Sequence, residues 1–566
     1  MDGIRSARSA RRRGHGATDS RQHPPRLFYG FRGVPAERRH ARADDRPELS
    51  RNGQEGIAVP AHDLATGGGD QAAPAPQRVA RRVARMAGGV LGGRSRRGQA
   101  RPVAGTHAQG RRVIRWFRPV SPVPAGWPPP DNQQQTAATL RYARLRDPIG
   151  DRVQFVFAAM YLLTLAMAGT TAKDIAWGAL AVCALARLPL IWRCYTVLLR
   201  DRLLWLLAAW TAWRLLSLLW SPDTAQGLDE CAAGRVLLTP LLMWPVLDRA
   251  TLLVSVFLVG VFGHNLVQLS QAMHWFGLEP TVNQRLDGLL HPIHLGALCL
   301  AAMTWQVSAL VHGRGARPAT IALWLVGLGA ATTGLVFTGS RGPWIAAAVV
   351  IPMTVLIIAI RRPATRRAAL ALAVGGLVAG AVSWSWTGDY VRFRLDQAVT
   401  QFAVSSTDPA NLDTEVGWRL GRWLGAGRIA LDHPLAGTGA GGYGHAMAEG
   451  PYREITARTH HAHSLYLHDA ATLGFAGLGL TLVVLFASLS RAWSDPPRDR
   501  YGDGSFFVLA GWLIGAGFDC YQFSGTMFGL FSMVIALTMP WRARSLTASQ
   551  TRSDHDGSDS DHQQDA

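Results

Sequence analysis

Thr459-His460-His461-Ala462-His463-Ser464 closes the one long polar segment of the chain, a stretch that begins near Thr387. Apolar runs flank it, 368–386 on one side and 464–490 on the other. About 20 apolar residues in succession suffice for an α-helix to cross a bilayer, because a helix satisfies its own backbone where water is absent. Comparable runs recur at 153–168, 172–192, 203–220, 231–247, 251–270, 289–311, 319–338, 342–360, 505–521 and 523–541. The sequence therefore predicts an all-α polytopic integral membrane protein of about twelve transmembrane helices, with one large helix-containing loop at 387–463.

Arginine sets the orientation, since basic residues collect in cytoplasmic connections. Alternate connections carry clusters such as Arg141, Arg144 and Arg146, or Arg361, Arg362, Arg366 and Arg367, while the intervening loops 221–230 and 522–525 carry none. Both termini are then expected in the cytoplasm and the 387–463 loop outside it. Arginines within that loop do not oppose this orientation, because long loops escape the rule.

Composition divides the chain. Residues 1–147 hold 28 arginines against 11 acids, which places +17 of the formal +20 there and leaves the membrane part nearly neutral. Region 1–149, rich in Arg, Gly and Pro, is expected to be disordered, consistent with a start site placed too far upstream. It lacks the apolar core of a signal peptide. Its charge would suit nucleic acid or anionic lipid, yet it has no apolar periodicity, aromatic spacing or metal ligands for a reading head. Nucleic acid is therefore not an expected partner; membrane lipids are. The polytopic domain is placed at 150–545, and the polar stretch 546–566 reads as a disordered tail. Five cysteines, Cys183, Cys194, Cys231, Cys299 and Cys520, lie in or beside apolar runs and none in the long loop, so neither a disulfide framework nor a metal knuckle is indicated there.

Three features of the outer side can carry chemistry. Thr338-Gly339-Ser340-Arg341-Gly342-Pro343 forms a sharp turn between two spans, and Arg341 held there is either an interfacial anchor or an anion ligand. In the loop, Val416, Leu420, Trp423, Leu424 and Leu431 recur at helical spacing after the caps Asp413 or Thr414, and Arg419 and Arg422 project from one side of that helix. The helix stops at His433-Pro434, and the glycine-rich run 437–442 reads as flexible enough for tight turns. The third feature is the cluster of His460, His461 and His463. A histidine accepts a proton near neutrality and can serve as a general base. Three could instead hold a metal, but their spacing matches no recognised zinc pattern and no nearby Cys or Glu completes a shell. No metal or other cofactor is expected. Arg235, His291 and His294 could line a lipid or sugar groove, or act as a helix-end anchor and core histidines. Arg214 lies inside a span and needs a partner that the sequence does not name.

Ser217-Leu-Leu-Trp-Ser-Pro-Asp223, His291-Pro-Ile-His-Leu-Gly296, Ser340-Arg341-Gly342, Trp418-Arg419 through Asp432-His433-Pro434-Leu435-Ala436-Gly437-Thr438-Gly439, and His463-Ser464-Leu465 through Leu473-Gly474-Phe475-Ala476-Gly477 together resemble the O-antigen ligase and polymerase superfamily. The resemblance spans about residues 150–545. It implies a metal-independent, GT-C-like glycosyltransferase of the bacterial inner membrane that acts in lipopolysaccharide biosynthesis. Such an enzyme moves a glycan, the O-antigen, from undecaprenyl diphosphate to a sugar of the lipid A core on the periplasmic face. Carried over to this chain, it assigns Arg341, Arg419 and His463 to catalysis; His460 and His461 are neighbours in which the chain departs from the family pattern. Read from their positions beside these, Arg422, Arg235, His291, His294, His460 and His461 are the candidate substrate-binding residues. Physical chemistry agrees, because breaking a sugar–diphosphate bond builds negative charge that guanidinium groups bind well.

The same architecture serves polymerases that join repeat units on the lipid carrier and transferases that glycosylate protein. Arg285 and Arg428, followed at one common spacing by Gly296 and Gly439, repeat a polymerase-like pattern. A transporter is the non-enzyme alternative, but the spans are poor in Asp and Glu, apart from Asp469 and Asp519 near span ends, and no half repeat is evident.

Overall fold

Prolines and polar caps decide where the apolar runs become helices. In the computed structural model, which describes residues 140–539 apart from 141–142, 168, 196–197, 276–284, 314, 408–411, 413, 450–459 and 495–498, the chain is all-α, with no β-strand among the described residues. The expected tail at 546–566 and most of region 1–149 lie outside those residues. Helices α1 (Pro148–Met167), α2 (Thr170–Tyr195) and α3 (Arg202–Leu216) open the bundle, with the Asp201 carboxylate capping α3 by accepting from the Leu203 amide. Helices α4 (Thr224–Ala232) and α5 (Thr239–Met243) are short, and α6 (Ala250–Ala272), α7 (Pro292–Val311), α8 (Pro318–Phe337) and α9 (Arg341–Arg361) are long. Pro292 and Pro318 sit in the first turns of α7 and α8, where the missing amide costs nothing. The remainder comprises α10 (Arg366–Thr407), α11 (Glu415–Asp432), α12 (Gly442–Glu449), α13 (Leu465–Ser494), α14 (Gly502–Ala516) and α15 (Gly525–Leu537).

Nine helical stretches among the described residues are long and apolar enough to cross a membrane, and α14 and α15 add two shorter ones. The protein is thus a multi-pass membrane protein. One expected span is corrected: 231–247 is not a continuous helix but alternates 3₁₀ turns, Ala233–Leu238 and Trp244–Arg249, with α5. Pro240 and Pro245 explain this, since each removes an amide donor and restarts the helix. The folded part also begins before residue 150. Residues 143–146 are helical, and Arg144 pairs with Asp151 and Asp248, each at 3.0 Å.

The polar segment from Thr387 opens as a continuation of the preceding span's helix. Helix α10 runs unbroken for 42 residues, about 63 Å at 1.5 Å per residue, so it crosses the membrane and continues far beyond it. Within its membrane stretch, 363–385, only 6% of the most apolar 18-residue window is buried against the rest of the protein, which leaves that surface for lipid.

Charges sort by end. At one end of the helices, arginines meet acids: Arg187 with Asp147, Arg249 with Asp151, Arg491 with Asp201, and Arg362 together with His312 on Asp503. These are the connections that the sequence places in the cytoplasm. Within the bundle, Arg214 finds its partner in Asp469, whose second oxygen accepts from Thr481 Oγ1 at 2.7 Å. Trp210 Nε1 donates to the same hydroxyl at 2.8 Å. Bonds to the second carboxylate oxygen help to offset the cost of burying the charges, and the pair ties α3 to α13.

Helix α13 breaks at Gly474, where φ is 69°. The glycine-rich run is fixed in that break and is not the flexible turn its composition suggests. Thr438 and Gly439 amides donate to the carbonyls of Ala471 and Thr472 at 3.0 and 2.8 Å, and the Phe475 amide donates to Pro434 O at 2.7 Å. Further along, the Ala440 amide donates to Ser217 Oγ and the Gly441 amide to Glu230 Oε2. A Cβ at Gly437 would lie 2.3 Å from the Thr472 backbone, and one at Gly439 would lie 2.7 Å from Ser217 O; both glycines also hold positive φ. Gly437→Ala and Gly439→Ala are each expected to cost several kcal/mol through combined strain and backbone clash. Size-exclusion profiles and thermal unfolding of purified variants check this; a monodisperse Gly437→Ala protein with wild-type melting would refute the close fit.

Candidate active site

Turn Thr338-Gly339-Ser340 delivers Arg341 as the first residue of α9. From the opposite direction α11 begins at Glu415, its first turn fixed by Thr414 Oγ1, which accepts from the Gly417 amide at 2.9 Å. Of the two expected caps, Thr414 is therefore one that acts; Asp413 lies outside the described residues. Between these ends lies a pocket lined by Arg285, Arg341, Arg394 and Arg419, with Glu415, Ile293, Phe518 and the 339–343 turn. Four guanidinium groups thus face one carboxylate.

The polar contacts are few and specific. Arg285 Nη2 donates to both oxygens of Glu415 at 3.0 and 3.1 Å. Arg394 Nη2 lies 3.7 Å and Arg341 Nη1 4.0 Å from Glu415 Oε2. Gln397 Oε1 accepts from Arg341 Nη2 and Arg394 Nη1 at 3.0 and 2.9 Å, and Arg394 also donates to Gly339 O. Burial presses Arg419 below its usual pKa, with Asp519 and Glu415 offsetting that pressure and Arg285 and Arg394 adding to it. Burial and then Arg285 do the same to Arg394. Crowded, desolvated cations of this kind gain most from a dense anion.

Beside the pocket, Arg419 connects electrostatically to a second group. His463 Nδ1 lies 3.1 Å from Asp519 Oδ1, which also accepts from the Cys520 amide at 2.9 Å. His294 Nε2 approaches the other carboxylate oxygen at 3.9 Å, and its Nδ1 lies 3.4 Å from Ser524 Oγ. Burial alone would raise the Asp519 pKa, but the His463 hydrogen bond and the neighbouring histidines hold it well below the usual carboxylate range. His463 adopts φ 49°, a left-handed backbone that costs a non-glycine residue energy. Trp423 Nε1 holds the carbonyl of that residue at 3.4 Å, and the Trp423 ring packs on Phe518 of the pocket wall.

Atoms of His461, His463 and Asp519 lie within 4.8 Å of one another, close enough to share a metal ion. In the arrangement present, the Asp519 oxygen and His463 Nδ1 are already spent on each other, and the His463 amide donates to His461 Nδ1 at 3.4 Å. A metal bound through these same atoms would have to replace these bonds.

The predicted residues therefore divide. Arg341 and Arg419 meet in the pocket, and His463 stands on its Asp519 side. His461 meets His463 edge-on at 4.2 Å between ring centroids, and His291 lies tilted against His294 at 5.4 Å. Arg422, one turn beyond Arg419, is buried and does not line the pocket; its carbonyl accepts from Tyr443 Oη. Arg235 stands apart, paired with Asp174 at 2.9 Å, and His460 is exposed. The polymerase-like pair also splits, since Arg285 enters the pocket whereas Arg428 pairs with Asp432 on the surface of α11. Arg394, Glu415 and Asp519 were not singled out as site residues by the sequence; an arginine and an acid beside an expected helix start were the available signals for the first two.

Residues 326–482 match a family model described as O-antigen ligase. That stretch contains Arg341, Arg394, Glu415, Arg419 and His463 and leaves out Arg285 and Asp519. No curated protein matches the chain.

Burial, then the neighbouring His463 charge, lowers the pKa of His461 from 6.5 to about 3. A lowered folded-state value means that the unfolded chain takes up the proton first as pH falls. The stability tied to neutral His461 is therefore whole above pH 6.5 and is lost progressively toward pH 3. Wild-type protein is expected to melt at lower temperature at pH 5 than at pH 7, and His461→Asn to show a smaller drop; equal drops would place the titrating group elsewhere.

Proposed function

The chain carries a domain of the O-antigen ligase family, and from that premise we propose that it transfers a glycan from undecaprenyl diphosphate to a lipid A-core sugar on the periplasmic face of the inner membrane. The coarser statement, a membrane enzyme of the O-antigen ligase or polymerase type, already follows from the family. The observation that carries the finer reading is the convergence of four arginines beside a histidine held by a carboxylate.

In this mechanism Arg285, Arg341, Arg394 and Arg419 hold the diphosphate. His463 donates its Nδ1–H to Asp519, which leaves Nε2 with a lone pair for the proton of the acceptor hydroxyl. The acceptor oxygen attacks the anomeric carbon and the bond from that carbon to the diphosphate oxygen breaks. The electron pair leaves with undecaprenyl diphosphate, and the proton passes to His463. Charge growing on the leaving oxygen meets guanidinium groups already in place, a form of catalysis typically worth about 3–4 kcal/mol for each donor removed. Asp519 positions His463 as a general base needs to be positioned, and the strained His463 backbone fixes the ring further. No step requires a metal.

Arg341→Ala, Arg419→Ala and His463→Ala are each expected to lower transfer at least about 100-fold in protein that still folds. Asp519→Asn should lower kcat more than it raises KM. Lipopolysaccharide gels and extracted lipid-linked glycan from a deletion strain complemented with each variant provide the readout. Full-length glycan left on the carrier above an uncapped core supports the ligase reading; a core bearing one repeat unit would make the protein a polymerase. Transfer is also expected to survive EDTA, and a loss restored by zinc would make His461, His463 and Asp519 metal ligands.

A further inference from the structure

We propose that Glu415 is an internal competitor for the diphosphate site, a tethered carboxylate that occupies the arginines between turnovers and helps to eject the diphosphate product. The inference rests on reading the pocket as the diphosphate site. Glu415 reaches Arg285, Arg394 and Arg341 at 3.0, 3.7 and 4.0 Å, the positions that an anionic ligand would take. Its side chain is 39% exposed, whereas those of the three arginines are 12–13% exposed. Glu415 is thus the member of the cluster most open to solvent, and a swing of its carboxylate into water would leave the guanidinium faces it covers to an incoming anion.

The arginines can take more than this one acid gives them. Nε atoms of Arg285, Arg341 and Arg394 are buried without a hydrogen-bond partner, so donors remain that a diphosphate, with more acceptor oxygens, can fill. A displaced Glu415 also has somewhere to go. It is the acidic residue in the first turn of α11, where the helix N-terminus favours negative charge.

Product release supplies the reason for a competitor. When the glycan leaves, the terminal phosphate of the carrier gains roughly one further negative charge near neutral pH, so an unopposed arginine cluster would hold product more tightly than donor. A carboxylate fixed beside the site competes at an effective concentration of order millimolar or higher and needs no diffusion to act. The donor keeps its glycan contacts to offset this competition, and the product has lost them.

The experiment uses full-length protein in nanodiscs and inorganic pyrophosphate as probe, measured both by calorimetric binding and as an inhibitor of glycan transfer. Glu415→Gln, nearly isosteric, is expected to bind pyrophosphate about tenfold tighter, equivalent to the loss of about 1.4 kcal/mol of competition, and to be correspondingly more sensitive to inhibition. Glu415→Asp, which keeps the charge on a shorter arm, should fall between Gln and wild type, and it keeps the test open if the Gln variant does not fold. Unchanged or weaker binding in Glu415→Gln would overturn the proposal and make Glu415 an organiser of the arginines. The two readings fail separately. Tighter pyrophosphate binding that Arg341→Ala abolishes, in a protein without transfer activity, would keep the competitor and remove the transferase; active transfer with unaltered pyrophosphate affinity would do the reverse.

Discussion

A helix inside a bilayer cannot leave backbone groups open, and the break at Gly474 opens several at once. The segment Pro434–Gly439 closes them, donating to the carbonyls of Ala471 and Thr472 and accepting from the amides of Phe475 and Ala476. Three positive-φ glycines, Gly437, Gly439 and Gly441, let it lie against the α13 backbone and the α3–α4 connection. Because this strap follows α11 directly, fixing it fixes the end of α11. At the other end of α11, Thr414 caps the helix and Glu415 faces the arginines. His463 lies just before α13, two residues from its start, so the same break also anchors the histidine side of the site.

Electrostatics then separates the two ends of the bundle. One end neutralises its arginines against acids such as Asp151, Asp201 and Asp503, which favours closure. The other gathers four arginines around Glu415, with Asp519 committed to His463. Helix-end chemistry of the same residue type thus serves as a staple in one place and as a binding surface in the other.

Much of the fold was legible because membrane crossing imposes a length and a composition that sequence displays directly. Departures occurred where local chemistry overrode hydrophobicity, as at Pro240 and Pro245, or where helicity outlasted it, as beyond residue 387 in α10. Arg341, Arg419 and His463 stood out in the sequence because each lies outside the apolar runs, in the outer turn, the loop helix and the re-entry into the membrane respectively. Arg394 was hidden by the loop boundary, for a polar helix that continues a span carries no hydrophobic signal of its own. Asp519 and Glu415 are single acids whose meaning depends on residues more than fifty or a hundred positions away, His463 for one and Arg285 for the other. Arg235 shows the same dependence on distant residues: its partner Asp174 belongs to another helix.

Helix α10 leans on lipid along its span and meets protein contacts chiefly beyond it, where Arg394 and Gln397 join Arg341 and Gly339. A helix supported mainly by lipid takes up differences in hydrocarbon thickness by tilting. Any change of tilt in α10 is carried rigidly to Arg394, while Arg341 stays with the packed turn between α8 and α9. Gln397, shared by both guanidinium groups, and the bond from Arg394 to Gly339 O are then what hold the spacing of two pocket cations against such tilting.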